Sequence, residues 1–407
     1  WGQARELAFQ LEDAGARAVF CDQQRCDQLA THLAQSGMPA IVARPSGATL
    51  PGDARSLADF IAGIDDTAFP EVELEPEDPA LMMYTSGTTG TPKGGLSTQR
   101  AVCQSLVNID CQAMASAMVN PEAIGAMMKK GYPPTQMLAV PLFHVSGCHA
   151  AFLAALRSAR RIVMMYKWDV QKALELIERE RVTALNAAPS MLIELLESPL
   201  FERYDTSSLS SVAGGGSATP PRAARLFMDK VPDSYPGAGW GLTETNSNGS
   251  ACTGRAFREK PGTAGFLHPT VELRIRDEEG NELPQGVPGR LWIKSPTLVS
   301  GYWNRPEANA KEFRAGWFDS GDIGYLDEEG YLFLSDRAKD MVIRGGENIY
   351  PREIEEFLYN MEGIKDVQVA AVPSTKYGEE VGAFIVKKEN ANIEASDVID
   401  FCRGKIA

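Results

Sequence analysis

"YTSGTTGTPKGG", residues 84–95, follows directly on the apolar run "ALMMYTS" that begins at Ala80. Eight of the ten residues 85–94 are Gly, Ser or Thr, and the other two are Pro92 and Lys93. Glycines let backbone N–H groups come close to oxygens, hydroxyls donate further hydrogen bonds, and a lysine adds a point charge. This is phosphate-holding chemistry, placed at the end of what reads as a buried strand. A Walker A loop needs Gly before its Lys and Ser or Thr after it. Here Pro92 precedes Lys93 and Gly94 follows, so the GTPase and motor readings lose their main support. A polar strand-to-helix turn without a ligand is the plain alternative.

Outward from this stretch, short apolar runs alternate with helical patterns. "RAVFCD" (17–22) and "PAIVAR" (39–44) read as strands around a helix near 24–36. "QMLAVPLF" (136–143), "RRIVMMYK" (160–167) and "VTALNAAP" (182–189) read as further buried strands. "DVQKALELIERERV" (169–182) is an amphipathic helix with Val170, Leu174 and Ile177 on one face. Strands alternating with helices predict an α/β fold with a mostly parallel sheet. From about residue 261 the pattern changes to hairpins, each turned by "DEEG" (277–280 and 327–330), which predicts a small β subdomain over 261–336. After Arg337 an α+β pattern follows, with "PREIEEFLYN" opening a helix at Pro351, strands at "VQVAAV" and "GAFIV", and a helix at "ASDVIDFCRGKI".

The 407 residues are too many for one simple core. A net charge of −14 argues against nucleic acid or an anionic membrane surface as the main partner. No apolar run reaches membrane-spanning length. Seven scattered cysteines form no CxxC pair or Cys/His cluster, so reduced thiols in a cytoplasmic protein are expected. The first residues read as though already inside a helix, and both ends are expected to continue.

Six motifs occur in order: "YTSGTTGTPKGG", "PLFHVSG", "AGGGSATP", "GWGLTETN", "WFDSGDIGYLDEEGYL" and "DRAKDMVIRGGENIYPREIE". Together they resemble the adenylate-forming superfamily, nearest to its acyl-CoA synthetase branch. The resemblance implies a large α/β adenylation core (1–338) and a small mobile C-terminal domain (339–407). It implies two half-reactions: a carboxylate and ATP give acyl-AMP and pyrophosphate, and coenzyme A then gives acyl-CoA and AMP. The expected cofactors are ATP, Mg²⁺ and coenzyme A. The expected partner is a small carboxylic acid, fatty or otherwise aliphatic, with a homodimer left open.

The same resemblance distributes roles. Thr85, Ser86, Gly87, Thr88, Thr89, Gly90 and Lys93 would hold the β- and γ-phosphates. Glu244 would hold the magnesium ion with Thr88 nearby, and Thr243 would contact the α-phosphate. Gly214, Gly215 and Gly216 would form one wall of the adenine pocket. Gly239, Trp240 and Gly241 would form the other, with Trp240 standing where the family usually has Tyr. Asp322 and Arg337 would reach the ribose. His144, Gly147, Ala188 and Gly241 would line the acid, within walls spanning 144–149, 187–189 and 239–242. Lys339 would be the hinge, and Gly345, Gly346 and Glu347 would meet coenzyme A.

Two departures stand out. The family's C-terminal catalytic lysine is not in this chain, and Gly289-Arg290 replaces the usual Gly-Glu. Competing functions are an amino-acid adenylation domain, which needs an acid near "PLFHVSGC" that is not there, an aryl-acid–CoA ligase, and a non-catalytic nucleotide-binding module. The small apolar stretches "NAAP" and "GCHA" suggest a hydrophobic acid tail.

Overall fold

The computed structural model describes residues 3–47, 49–64, 68, 70–85, 92–216, 219, 221–232, 234–337, 340–344 and 347–405. Two compact units result, one of residues 1–99 with 300–309, the other of 100–299 with 310–407.

In the first unit, strands Val19–Asp22, Ala40–Ala43 and Arg55–Ser56 form a parallel sheet. The helical stretch expected near 24–36 is two helices, Gln23–Gln28 and Ala30–Ser36, meeting at Leu29. Asp22 caps the first through Arg25 N, and Gly37, at φ 64°, closes the second. Cys26, Leu29, Leu33, Ala40 and Val42 are the core. "ALMMYTS" departs from the expectation of a buried strand. Its strand, Pro79–Thr85, pairs antiparallel with Lys93–Thr98 in a sheet of two, and only Met83 of it is buried. An alternating half-covered strand and a core strand are both apolar runs, which is why the sequence alone does not separate them.

The second unit is built on a seven-stranded sheet. Thr135–Leu138, Arg161–Met164, Ala184–Ala187, Ser211–Gly214 and Tyr235–Trp240 run parallel, and Ser250–Thr253 and Phe266–Leu267 add an antiparallel edge. Helix Val170–Glu180, capped by Asp169 on Lys172 N, buries Leu174 and Ile177 against it. Leu185, Leu192, Leu195, Leu196, Phe227 and Phe257 complete a core exposed by no more than 1%. Helix Gln99–Met118 turns its polar side inward: Asn108 Nδ2 donates to Thr270 Oγ1 (2.7 Å) and Gln112 Nε2 to Ala251 O (3.1 Å), while Met114 and Met118 face out.

The hairpins expected after residue 261 form a five-stranded antiparallel sheet of Glu272–Arg276, Gly289–Lys294, Phe313–Arg314, Trp317–Leu326 and Leu332–Arg337, with both "DEEG" glycines at positive φ. The C-terminal part pairs Ile364–Ser374 with Gly378–Lys387 and Val342–Arg344 with Glu347–Ile349, under helices Pro351–Leu358 and Ala395–Cys402. Among the described residues no helix is long and apolar enough to cross a membrane. All seven cysteines are free thiols.

Candidate active site at the strand ends

Four neighbouring parallel strands finish side by side, at Leu138, Ala187, Gly214 and Trp240. In open α/β sheets the carboxyl ends of strands are where ligands bind. Three of these strands lead into the motifs "PLFHVSG", "AGGGSATP" and "GWGLTETN", and Ala184–Ala187 leads into "NAAP". Sheet register fixes the alignment: Ala187 opposes Gly214, which opposes Ala238. Gly215 N donates to Ala187 O (3.1 Å), so the glycine run and the "NAAP" turn are joined directly.

The glycines here have steric causes. A Cβ on Gly147 would stand 2.2 Å from Pro141 O, and one on Gly241 would stand 2.5 Å from the Ser247 carbonyl. Gly216 is at φ +83°, and its Cβ position lies 3.8 Å from Ser146 Oγ. The turn after "GGG" therefore approaches the "FHVSG" segment. At Gly215 a side chain would enter open space. Gly239 faces Ser250 O at 3.3 Å.

"FHVSG" opens a short helical turn that passes into a π-helical stretch, Cys148–Leu153, a form concentrated at functional sites. His144 lies at its N-cap, exposed, with the Phe143 ring 4.6 Å away. Desolvation by its surroundings lowers its pKa, which suits a neutral orienting imidazole better than an acid. Ala188 N-caps helix Pro189–Glu197.

Thr243, Glu244 and Thr245 form a 3₁₀ turn, followed by Asn246 and Ser247 in the left-handed region. Thr245 Oγ1 accepts from Leu242 N (3.0 Å), and Glu244 O accepts from Val299 N (2.8 Å). Glu244 is 8% exposed. A single buried carboxylate at a strand end fits the manner in which Mg²⁺ is held, by one or two carboxylates plus substrate phosphates. Among the described residues no cluster of three or more His, Cys, Asp or Glu could hold a metal by itself.

Trp240 and Asp322 carry separate roles in the sequence reading, and the fold brings them together. Trp240 Nε1 donates to Asp322 Oδ2 at 2.7 Å, both residues being buried. Trp240 also belongs to the buried apolar cluster of Ala264, Val271, Ile275, Leu291, Ile293 and Leu332, so this aromatic is a core residue as well. Asp322 lies opposite Arg337 in the antiparallel pair, which puts the two ribose candidates in cross-strand register.

Two groups carried weak signals. Arg290 Nε donates to both oxygens of Asp319, at 2.8 and 2.9 Å, and Asp319 also accepts from Gly321 N. The Arg at the Gly-Glu position thus has a local partner three residues before Asp322. His149 is fully buried. Burial pushes it down to about 4, with the Asn246 side chain opposing.

Ser86, Gly87, Thr88, Thr89, Gly90, Lys339, Gly345 and Gly346 lie outside the described residues, as do the side chains of Arg337 and Glu347. Thr85 and Lys93 are described, and they pair across the base of the hairpin. A cavity of about 370 Å³ lined by Leu11, Glu12, His32 and Met38 contains none of the motif residues.

The long-chain-fatty-acid–CoA ligase of Bacillus subtilis is 36% identical over 340 residues, covering 82% of this chain and 58% of that protein. The long-chain-fatty-acid–CoA ligase FadD13 of Mycobacterium tuberculosis is 31% identical, covering 99% of this chain and 75% of that protein. ATP-bound MatB from Rhodopseudomonas palustris superposes with a TM-score of 0.85 at 30% identity, over 100% of this chain and 76% of that one. This chain therefore spans between roughly three fifths and three quarters of these proteins. Residues 2–303 match the family described as AMP-binding enzyme, and the chain belongs to that family.

Proposed function

We propose that this chain is the adenylating part of an ATP-dependent acyl-CoA synthetase. A carboxylate oxygen attacks the α-phosphorus of ATP, forming the mixed acyl–phosphate anhydride of acyl-AMP as the bond to pyrophosphate breaks and pyrophosphate leaves. The sulfur of coenzyme A then attacks the acyl carbonyl, and AMP leaves. The observation that carries this reading is the convergence at four adjacent strand ends. They collect His144, Ala188, Gly214–Gly216 and Trp240–Glu244, with Asp322 bonded to Trp240 at 2.7 Å.

In this reading each group has one task. Gly214, Gly215 and Gly216 leave room for a flat base, and Gly239 and Trp240 close the opposite side. Asp322, held by the indole of Trp240, accepts from the ribose hydroxyls, alongside Arg337. Thr243 donates to the α-phosphate. The residues from Thr85 to Gly90 and Lys93 hold the β- and γ-phosphates, which depart together. When bound, Mg²⁺ neutralises charge between two anionic reactants; Glu244, with Thr88, is the group that would hold it. Neutral His144 orients the carboxylate, and Gly147, Ala188 and Gly241 keep the surrounding wall small. Lys339 as a hinge, and Gly345, Gly346 and Glu347 at coenzyme A, belong to the second half-reaction, for which the part after residue 338 rotates.

The acid we assign is aliphatic with an apolar tail, because the wall stretches "NAAP" and "GCHA" are small and uncharged. Apolar pockets separate homologues by only about 1–3 kcal/mol per methylene, so chain length is a matter for measurement. Carboxylate-dependent ATP–pyrophosphate exchange tests the proposal, run across fatty acids of rising length, aryl acids and amino acids. Exchange confined to aliphatic acids supports it. Exchange with another class reassigns the substrate, and ATP binding without exchange for any acid overturns the catalytic reading. Glu244→Ala should lower exchange on the order of 100-fold and weaken its magnesium dependence; an unchanged magnesium response would remove Glu244 from the site.

A further inference from the structure

A two-stranded hairpin is marginal in water without help. The hairpin Pro79–Thr85 / Lys93–Thr98 is joined along its second strand to residues 300–303, through Leu96 with Ser300 and Gly301, and its side-chain support gathers at one end. Its last pairs are Tyr84 with Gly94 and Thr85 with Lys93. Tyr84 Oη donates to Asp13 Oδ2 (2.8 Å) and to Gln10 O (3.2 Å). The other carboxylate oxygen of Asp13 accepts from Arg305 Nη2 (2.8 Å), and Asp13 O accepts from Trp303 Nε1 (2.8 Å). Trp303 N donates back to Gly94 O (2.7 Å), closing a ring of polar contacts around the base. Lys93 Nζ stands 4.0 Å from the centroid of the Tyr302 ring, and Tyr302 is 3% exposed. Gly94 is dictated by the same arrangement: a Cβ there would meet Met82 Sδ at 2.8 Å and Tyr84 Cζ at 3.2 Å. Burial, then Asp13, push the Tyr84 phenol well above its ordinary range, so it remains an O–H donor.

We propose that Asp13, Tyr84, Trp303 and Arg305 form a brace that sets where Thr85 and Lys93 stand, and that they are positioning residues for the β- and γ-phosphates of ATP. The proposal rests on the reading of residues 84–95 as the phosphate-holding stretch. The placement of the polar contacts carries it. They gather at the Tyr84–Gly94 pair, directly beside the Thr85–Lys93 pair that closes the hairpin's base. Each carboxylate oxygen of Asp13 has one donor, Tyr84 Oη on one and Arg305 Nη2 on the other, so Tyr84 cannot rotate away without leaving Asp13 underbonded beside Arg305. The cation–π contact limits the directions available to the Lys93 ammonium.

The brace makes a prediction that simple stabilisation does not. AMP lacks the β- and γ-phosphates, so a brace defect should separate ATP from AMP. Calorimetric affinities for both nucleotides, with a urea midpoint for each variant, supply the test. Tyr84→Phe and Arg305→Lys should weaken ATP about tenfold and leave AMP within twofold. Trp303→Phe keeps the packing and should give a smaller change in the same direction if Tyr84→Phe does not fold. Equal weakening of ATP and AMP, or no change in either, overturns the brace. Lys93→Gln separates the two layers of the argument. If it weakens ATP selectively while the brace variants do not, only the brace fails. If Lys93→Gln leaves ATP and AMP unchanged, the phosphate reading falls and the brace falls with it.

Discussion

The strand-end wall of the second unit and the hairpin of the first solve one problem by opposite means. The wall is placed by burial: strands ending at Ala187, Gly214 and Trp240 are fixed by register and by side chains such as Leu185, Leu192 and Phe227 beneath them. The hairpin has Met83 as its buried apolar residue on the first strand, and is held by directional contacts of Tyr84 to Asp13 and of Gly94 and Leu96 to residues 300–303, with Arg305 and the Trp303 indole fixing Asp13 in turn. Burial is non-directional and tolerates small shifts, whereas a ring of hydrogen bonds has few members and fails when one is removed. A defect under the wall should therefore appear as lost stability. A defect in the brace should appear as lost selectivity with the fold intact.

The sharpest way to break this contrast is Phe227→Ala. Phe227 is fully buried, so the change should cost about 3–5 kcal/mol in urea unfolding; a smaller loss, with nucleotide affinity reduced instead, would remove the distinction. Acid provides the next test. In the same unit, His268 is buried just past the edge strand Phe266–Leu267, its Nδ1 accepts from Gly249 N, and burial pushes its pKa down to about 4. An unfolded chain takes up that proton near pH 6.5. The stability is thus fully present above about 6.5 and is lost as pH falls toward 4, on the order of 3 kcal/mol at the low end. Urea midpoints between pH 7 and 4.5 should show this slope, and His268→Asn should reduce it; an unaltered slope would place the acid sensitivity elsewhere. Smaller again is Trp240→Phe, which keeps a ring but frees one oxygen of Asp322. Loss of a hydrogen bond to a charged group, about 1.5–3 kcal/mol, predicts at least a tenfold weaker hold on both ATP and AMP. Weakening of ATP alone would assign the pair to the phosphates and not to the ribose. The smallest effect belongs to Arg290→Ala. Its side chain is 42% exposed, so the pair with Asp319 should contribute less than about 1 kcal/mol, with little change in nucleotide affinity.

These expectations show which parts of the molecule were legible in the sequence. The parallel sheet, the β subdomain and the C-terminal α+β part were readable because their signals are periodic or lie in turn residues such as Gly280 and Gly330. Helix Gln99–Met118 was not, because its inward face carries Ser105, Asn108 and Ser116 and offers no apolar stripe. The strand Pro79–Thr85 was read as buried because apolarity does not report the number of neighbours. Motif residues of the strand-end wall could be named singly. Their pairings could not, since Trp240 with Asp322 spans 82 positions and Tyr84 with Asp13 spans 71. The role of Arg290 stayed opaque for the same reason, as its partner is set by sheet register.

The bond between Trp240 and Asp322 also makes the protein its own optical probe. An excited indole is a stronger hydrogen-bond donor, so its emission responds to how much negative charge its acceptor keeps. Any ligand that draws on the Asp322 carboxylate alters that charge directly. Of the six tryptophans, Trp240 is the one hydrogen-bonded to the candidate ribose aspartate. Its emission, isolated by difference against Trp240→Phe, would follow the seating of a nucleoside in real time and without a label.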